Sequence, residues 1–405
     1  MPAPPAELPG LTSRRVKRNR RFWGSGLALV VLALVLVAAL SRGSGNPTAA
    51  GQSHGGAGHH GKGPPPHTGN PRLDPDWEGN GKSVTFAFGG DVHFPAGTNL
   101  GDRLAADPSD ALGPTVRALL SGVDLSMVNL ESALTNGTCP QPQGKQYVFS
   151  APASAVSAFK GAGVTLITEA NNHGEDCGAA GLQMALSTRA QTGYTILGIG
   201  QNAAQAFTPY TTTIHGQHIA IIAATQPGLA SAYDVDDLVA AVEAARKTAD
   251  TVIVYLHWGT ELDACPDPLQ EPLAQVLVQA GADIIIGTHA HVLLGGGYLG
   301  SAYVDYGLGN FAFYDNSPPE NASGSLVITA TGRKIDQVTW RPAVIVDDLP
   351  QPLSGDAATA ALAAWNQARA CTNVSVTPGT PVASEQTETS PAPPSAAQTL
   401  SADSG

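Results

Sequence analysis

The stretch Val84–His93, VTFAFGGDVH, indicates how this chain folds and where its chemistry lies. It begins as an apolar run of β-forming residues, which is typical of a buried strand. Two glycines then allow the backbone to turn sharply, and Asp91 and His93 follow. Because side chains two positions apart on an extended strand point the same way, Asp91 and His93 are predicted to bind one cation.

The same pattern recurs four times further along the chain, where apolar runs end in side chains of metal-binding types. These are Asn129 and Glu131, Asn172 and His173, His257, and finally His289 and His291. The chain has 11 histidines, and five of them lie just beyond an apolar run. The others are His54, His59, His60 and His67 in a Gly/Pro-rich segment, and His215 and His218 beside a predicted hairpin turn at the surface. This clustering predicts a sheet whose strand ends converge on a metal pocket.

The residue types in this pocket fit two divalent cations that share one carboxylate. Imidazole nitrogens suit Zn, Fe and Mn, and carboxylate oxygens suit Mn, Fe or Mg. Two cations ~3.5–4 Å apart can bind both the attacking and the leaving oxygen of a displacement at phosphorus, and a positioned histidine can protonate the leaving oxygen. We therefore expect two divalent ions, Mn, Fe or Zn, with the identity left open.

Residues 81–345 alternate between strand-like and helix-like patterns, which favours an α/β fold with sheets covered by helices. Hairpins late in this region predict mixed rather than wholly parallel sheets. Residues 346–405 are predicted to be a mostly disordered tail, in which Ala357–Ala370 is a candidate helix carrying Trp365. Residues 41–80 are rich in Gly, Pro and His and are expected to form a disordered tether.

The segment Phe22–Leu40 has 19 residues and no charge. As a helix it would be ~28 Å long, close to the ~30 Å of a bilayer core. Six Lys and Arg residues lie just before it, so residues 1–21 are predicted to be cytoplasmic and the bulk of the chain extracytoplasmic. A cleaved signal peptide ending near Ala39 is the alternative to a single-pass membrane anchor.

The charge distribution argues against nucleic-acid binding. The formal net charge is −12, and from Ser41 onward 15 basic residues face 32 acidic ones. An acidic body without a basic patch is unsuited to a polyanionic backbone. The predicted partners therefore include a membrane but no nucleic acid.

Four cysteines suit an oxidising compartment, and no C-x-x-C motif indicates a zinc site. Two disulfides are expected rather than four free thiols. Cys139 and Cys177 both follow strand ends that carry candidate ligands, which favours that pair.

The order Asp-x-His, acidic block, Asn-His, lone His and His-x-His resembles the ligand order of calcineurin-like metallophosphoesterases. The blocks FAFGGDVH, VNLESALT, EANNHGEDCG, YLHWGTEL, GTHAHVLLG and YGLGNFAFY closely resemble the CapA family of capsule and poly-gamma-glutamate synthesis proteins, over about Val84–Phe313. This resemblance implies a four-layer α/β/β/α sandwich, often anchored to the membrane outside the cell.

The resemblance also implies a role for each residue. Asp91, His93 and His291 would bind the first cation; Asn172, His257 and His289 would bind the second. Glu131 would bridge the two cations, and His173 would act as the general acid. The chain departs from the phosphoesterase pattern with Asn129-Leu130-Glu131 in place of Gly-Asp, and with Asp176 as a candidate partner of a histidine. Gly309 and Asn310 fit either a pocket rim or a structural turn, and Trp258 fits the core better than a pocket wall.

The first functional hypothesis is a membrane-anchored CapA-like protein with a di-metal phosphoesterase-like site, acting in capsule or poly-gamma-glutamate synthesis or export. Its partners would be an anionic polymer or a phosphorylated substrate, and a membrane synthase complex. One alternative is a general extracellular metallophosphoesterase. The other is a non-catalytic polymer-binding component of a membrane complex.

Overall fold

The computed structural model describes residues 69–226 and 235–379 of the 405-residue chain. In chain order its strands are β1 (Val84–Val92), β2 (Leu125–Leu130), β3 (Ala133–Thr135), β4 (Ser150–Pro152), β5 (Leu166–Thr168), β6 (Thr195–Leu197), β7 (Tyr210–Ile214), β8 (Gln217–Thr225), β9 (Thr251–His257), β10 (Ile284–Thr288), β11 (Gly296–Leu299), β12 (Ala302–Asp305), β13 (Asn310–Ala312), β14 (Ala322–Thr331), β15 (Lys334–Val346) and β16 (Leu349–Pro352).

The α-helices in the described part of the chain are α1 (Asn99–Ala106), α2 (Gly113–Leu120), α3 (Ala155–Ala162), α4 (Gly178–Thr192), α5 (Ala203–Ala206), α6 (Val235–Arg246), α7 (Gln270–Ala280) and α8 (Gly355–Ala368). Short 3-10 turns occupy Pro71–Leu73, Pro108–Asp110 and Arg369–Cys371. Helices α3, α4 and α7 each end at a glycine in the left-handed region, Gly163, Gly193 and Gly281, where a side chain would strain the backbone.

The strands form two large mixed sheets and a two-stranded ribbon of β3 and β4. The first sheet has the order β16-β15-β14-β1-β2-β5-β6, and β13 pairs with the end of β1. The second has the order β11-β12-β10-β9-β8-β7. In each sheet a block of parallel strands adjoins antiparallel strands, as predicted. The parallel strands direct their carboxyl ends to one edge of the sheet, where polar side chains can meet.

The domain has four layers, because successive residues of a strand face opposite sides of its sheet and both faces of each sheet are covered. Phe86 and Phe88 of β1 pack against Ile253 and Tyr255 of β9 in a core between the two sheets. Ala87, between the two phenylalanines, belongs instead to a core on the outer face of the first sheet. Both faces of each sheet are therefore covered, which explains the near-continuous apolar strands.

Helices cover the two outer faces. Val116 of α2 and Phe159 of α3 pack on the first sheet. Val242 of α6 and Leu277 of α7 pack on the second sheet. The four-layer α/β/β/α arrangement implied by the family resemblance is confirmed in the described residues.

The sharp turn that we expected at Gly89-Gly90 is wrong, because β1 continues through both glycines to Val92. The pairing of β1 with β2 shifts between Phe88 and Asp91, which is a bulge. A Cβ on Gly90 would lie 1.8 Å from the carbonyl oxygen of Gly309. The glycines therefore serve close backbone approach rather than a change of direction.

Packed structure extends beyond both of the expected boundaries, 81 and 345. Before β1, Arg72 Nε and Trp77 Nε1 each donate to Asp250 Oδ1 at 2.9 Å, although residues 41–80 were expected to be a tether. After residue 345, β16 and α8 continue the domain, and Ser375 pairs with Tyr298. The candidate helix around Trp365 thus forms, and it packs on the sheet.

Two disulfides cross-link the described chain, Cys139–Cys177 and Cys265–Cys371, and no described cysteine is free. The favoured pair is confirmed. The second bond joins the segment before α7 to the segment after α8, which fastens the C-terminal part of the domain to the second sheet.

The predicted membrane span Phe22–Leu40 lies outside the described residues. Within 69–226 and 235–379, no helix combines the length and the apolar character that crossing a bilayer requires.

Trp365 of α8 stacks on Trp340 of β15, with ring centroids 5.4 Å apart and an angle of 6°. Both rings are buried. We expect Trp365→Ala to lower the free energy of unfolding by about 3–5 kcal/mol, because it opens a cavity beneath the helix. Denaturant unfolding with the disulfides intact measures the change. Gln367→Ala, on the exposed side of α8, is the control and should change stability by less than about 0.5 kcal/mol; equal losses would contradict the packing role of Trp365.

Candidate metal centre

Metal-ligand side chains converge where the carboxyl ends of strands from the two sheets meet. Glu131, His257 and His289 each offer a ligand atom, and these atoms lie within 4.8 Å of one another. Asp91, Glu131 and His291 form a second such set. Glu131, which was predicted to bridge two cations, belongs to both sets.

The Glu131 carboxylate is fully buried, and neither of its oxygens has a hydrogen-bond partner. Its Oε1 lies 3.6 Å from His291 Nε2 and 3.7 Å from His257 Nε2. Burial, and then the Asp91 carboxylate, raises the pKa of Glu131 well above its ordinary value. A buried carboxylate without a partner is costly, so this donor set fits a bound cation.

Asp91 is oriented by two hydrogen bonds. Its Oδ1 accepts from Asn129 Nδ2 at 2.7 Å, and its Oδ2 accepts from the backbone N–H of His289 at 3.0 Å. Burial raises the pKa of Asp91, and the nearby His291 opposes that rise. Asn129 is a side chain of a metal-binding type at a strand end, but the family resemblance gave it no ligand role; its amide positions Asp91.

The histidines of the second sheet are fixed by backbone and side-chain contacts. His289 has φ 94° and His291 has φ 59°, values that residues other than glycine rarely adopt. His257 Nδ1 lies 3.0 Å from Thr288 Oγ1, and His291 Nδ1 lies 2.8 Å from Asn310 Oδ1. Such contacts orient a metal-binding imidazole through its other nitrogen.

Burial also sets the charge of two of these imidazoles, His257 and His289. It lowers the pKa of His257 well below its ordinary value, and it lowers the pKa of His289 to about 3. Neutral rings keep a lone pair available, which is the form that binds metals.

Asn172 and His173 lie beside the two sets. Asn172 Oδ1 is 2.9 Å from His257 Nε2, which places it next to the set that was predicted to include it. His173 Nε2 is 3.9 Å from Glu131 Oε1, and His173 Nδ1 is 2.5 Å from Asp176 Oδ2. The candidate histidine partner Asp176 is therefore in contact with His173.

Asp176 also fastens the loop that follows β3. It accepts from Lys145 Nζ at 2.5 Å and from the Phe149 backbone N–H at 2.7 Å. Burial alone would raise the pKa of Asp176, but the hydrogen bonds from His173, Lys145 and Phe149 outweigh it and leave the pKa below its ordinary value. The carboxylate is thus held ionised beside His173.

His93, predicted to bind the first cation, lies outside both sets of ligand atoms. Its Nδ1 is 2.7 Å from Ser132 Oγ, and its ring stacks on Phe149 with centroids 3.9 Å apart. The other face of Phe149 stacks on His173 at 4.0 Å. Phe149 therefore separates the two imidazoles, and no ligand pattern in the sequence marked it.

The remaining candidates have structural roles. Trp258 is fully buried and donates from Nε1 to the Tyr306 carbonyl at 3.0 Å, which fits core packing. Asn310 contacts His291, and Gly309 meets β1 at Asp91. The rings of His215 and His218 are about half exposed, as expected for surface residues.

Glu169 is a buried acid that the sequence analysis did not single out. Its Oε1 accepts from the Leu134 backbone N–H at 2.7 Å, while Oε2 has no partner. Burial raises the pKa of Glu169 to about 8. Through Leu134 this residue supports the segment that follows Glu131.

The model of the bacterial capsule synthesis protein family PGA_cap matches residues 85–315. The chain is similar to the capsule biosynthesis protein CapA of Bacillus anthracis, with 34% identity over 189 residues, which is 43% of this chain and 46% of that protein. It is similar to the PGA biosynthesis protein CapA of Bacillus subtilis (strain 168), with 29% identity over 218 residues, or 51% and 57% of the two chains. The chain thus spans about half the length of these curated relatives.

Among solved structures, the chain is similar to a hypothetical protein from Thermus thermophilus, with a TM-score of 0.43 and 16% identity. The match covers 65% of this chain and all of that protein. Another is a novel phosphatase from Mycoplasma pneumoniae, with a TM-score of 0.41 and 16% identity over 65% of this chain and 94% of that one.

The shared position of Glu131 gives a test of cation binding. We expect the wild-type chain to bind about two equivalents of Mn²⁺, and Glu131→Gln to lose at least one of them, because the amide keeps the shape but not the charge. Calorimetric titration with Mn²⁺ measures the stoichiometry. His215→Asn changes a histidine far from the centre and should bind as the wild type does. A Glu131→Gln chain that retains both equivalents would sink the shared-carboxylate assignment.

Glu169 predicts a pH dependence of stability. Its folded pKa of about 8 lies above the ordinary value of 4.5, so its contribution to stability is complete below pH ~4.5 and is lost as the pH rises through about 8. Glu169→Gln removes this loss. We therefore expect the Glu169→Gln variant to gain stability over wild type as the pH rises from 5 to 8. The gain in free energy of unfolding should be up to about 1.4 kcal/mol for each unit by which the Glu169 pKa is raised. Unfolding curves at both pH values check this, with the exposed Glu175→Gln as control; a difference that stays constant with pH would count against it.

Proposed function

The chain belongs to the bacterial capsule synthesis protein family PGA_cap, and on that premise we propose that it is a metal-dependent phosphodiester hydrolase or transferase acting in capsule or poly-gamma-glutamate synthesis or export. Both curated relatives are named for biosynthesis of a capsule or of PGA, which supports the polymer role. The chemistry is inferred from the metal centre of this chain.

The observation that carries the proposal is the Glu131 carboxylate, buried without a hydrogen-bond partner and shared by two ligand sets. Asp91 and His291 would hold one divalent cation with it; His257, His289 and Asn172 would hold the other. When bound, such a pair of Mn, Fe or Zn ions supplies Lewis-acid charge that stabilises the transition state at phosphorus. The donors are imidazoles, carboxylates and one amide, and imidazoles and carboxylates suit these metals.

His173 would deliver the proton that the leaving oxygen needs. Asp176 accepts the Nδ1 hydrogen, so the ring is oriented with Nε2 toward Glu131 and the centre. From there Nε2 can donate to an oxygen on the reacting phosphorus. Phe149 packs flat on the ring and limits its rotation.

We further propose that the domain works outside the cytoplasm, attached by Phe22–Leu40 to the cell membrane. Two disulfides in the described chain support an oxidising compartment. The substrate would be an anionic polymer or a phosphorylated precursor, handled together with a membrane synthase complex.

The proposal is tested by hydrolysis of bis(4-nitrophenyl) phosphate with the Mn²⁺-loaded full-length chain. We expect His173→Asn to lower kcat by about 10²–10⁴ while Mn²⁺ stoichiometry is unchanged, since the residue moves a proton but holds no cation. Asp91→Ala should lose both activity and one equivalent of Mn²⁺. Bound Mn²⁺ without turnover in the wild type would reject the enzyme and favour a polymer-binding role.

The same His173→Asn variant addresses the biological role. A strain that lacks this chain should lose surface polymer, and wild-type protein but not the variant should restore it, as measured by polymer release from the cell surface. Restoration by the inactive variant would separate polymer synthesis from the catalytic site. An unchanged amount of polymer in the deletion strain would instead favour a general extracellular phosphoesterase.

A further inference from the structure

A groove of about 460 Å³ adjoins the metal centre and has no role in the function proposed above. Phe149 is the wall that the two share: one face of its ring packs on His93 in the groove, and the other face packs on His173 at the centre. Tyr314, Thr98 and Pro95 line the rest of the groove. Its volume is in the range that binds small organic groups.

The lining of this groove contains no lysine, arginine, aspartate or glutamate. Lys145, which lies close to the centre, donates to Asp176 and so serves the His173 pair. A carboxylate placed in the groove would therefore meet no lysine or arginine, and the imidazole in the lining, His93, is buried.

Acidic side chains make the electrostatic potential negative on the side of the groove that Tyr314 lines. Burial raises the pKa of Tyr314 to about 12, and Asp315 and Glu320, which lie outside the metal centre, add to the rise through their negative charge. The same field opposes a carboxylate on a ligand at that position.

Aromatic surface is available instead. Tyr314 is 37% exposed, and its ring meets Phe149 edge to face, with centroids 6.4 Å apart and an angle of 86°. Since both faces of Phe149 are covered, an uncharged ring would pack on the exposed part of Tyr314 and against the edge of the half-buried Phe149, without losing a hydrogen bond or a counter-charge.

We propose that this groove binds the leaving alcohol of the phosphodiester substrate, and that this alcohol carries an uncharged ring rather than a carboxylate. The assignment rests on the proposed function for the reaction itself. In that reaction a water oxygen forms a bond to phosphorus and loses its proton to solvent. The bond from phosphorus to the alcohol oxygen breaks, that oxygen keeps the electron pair, and it takes a proton from His173 Nε2.

Two matched substrates test the preference: methyl 4-carbamoylphenyl phosphate and methyl 4-carboxyphenyl phosphate, which are nearly equal in shape and differ in charge. With the Mn²⁺-loaded full-length chain we expect kcat/KM to favour the carbamoyl compound by about tenfold or more. Phe149→Ala and Tyr314→Ala should each raise KM for that compound and bring the ratio towards one. An equal or reversed preference in the wild type overturns the proposal.

Control variants separate the groove from the rest of its loop. Tyr147→Ala changes an exposed aromatic ring outside the groove lining and should keep the wild-type ratio. Tyr314→Phe keeps the ring without the hydroxyl and should also keep it. If Tyr147→Ala abolishes the preference as fully as Tyr314→Ala does, the groove is not its source.

Binding of the two free phenols distinguishes a failed groove from a failed reaction. Equilibrium dialysis of 4-hydroxybenzamide and 4-hydroxybenzoate against the full-length chain needs no turnover. Tighter binding of the benzamide, lost in Phe149→Ala, supports the groove even if neither phosphodiester is hydrolysed. Absence of benzamide binding, or equal binding of both phenols, overturns it whatever the hydrolysis assay shows.

Discussion

The burial of the Glu131 carboxylate without a hydrogen-bond partner is the constraint on which the rest of the centre depends. A second buried carboxylate, Asp91, lies close enough to raise the pKa of Glu131 further. Burial keeps His257 and His289 neutral, so these two imidazoles supply no positive charge to the carboxylates. Bound divalent cations would account for both the buried carboxylates and the neutral imidazoles, because they supply positive charge and accept the imidazole lone pairs.

Much of the fold follows from short-range pattern. Apolar runs of the right length predicted the strands, and burial on both faces explains why residues 284–286 are all apolar and all buried. The double glycine before Asp91 was misread, since the same residue that permits a turn also permits the close approach of Gly309. The packing of residues 349–379 depends on the Trp340–Trp365 stack and the bond from Cys265 to Cys371, contacts between segments far apart in the chain.

The residues of the candidate site also fall into two groups: those that strand ends position, and those that loops position. Asp91, Glu131, His257, His289 and His291 stand at or directly beyond the ends of strands, so the sheet topology alone brings them together. Phe149, which a loop places at the centre, was not foreseen. Asp176 holds the backbone N–H of Phe149, and the Phe149 ring stacks between His93 and His173. No periodicity encodes such a contact.

The segment before β1, residues 69–83, shows on which side of the domain the chain enters it. Trp77 and Arg72 bind Asp250 immediately before β9, and Asn80 binds the turn between β7 and β8, so residues 69–83 lie at the amino ends of the parallel strands. The metal centre lies at their carboxyl ends, and β1 alone covers about 26 Å between its first and last residues. A force applied at residue 69 would therefore act on the side of the sandwich opposite to the metal centre.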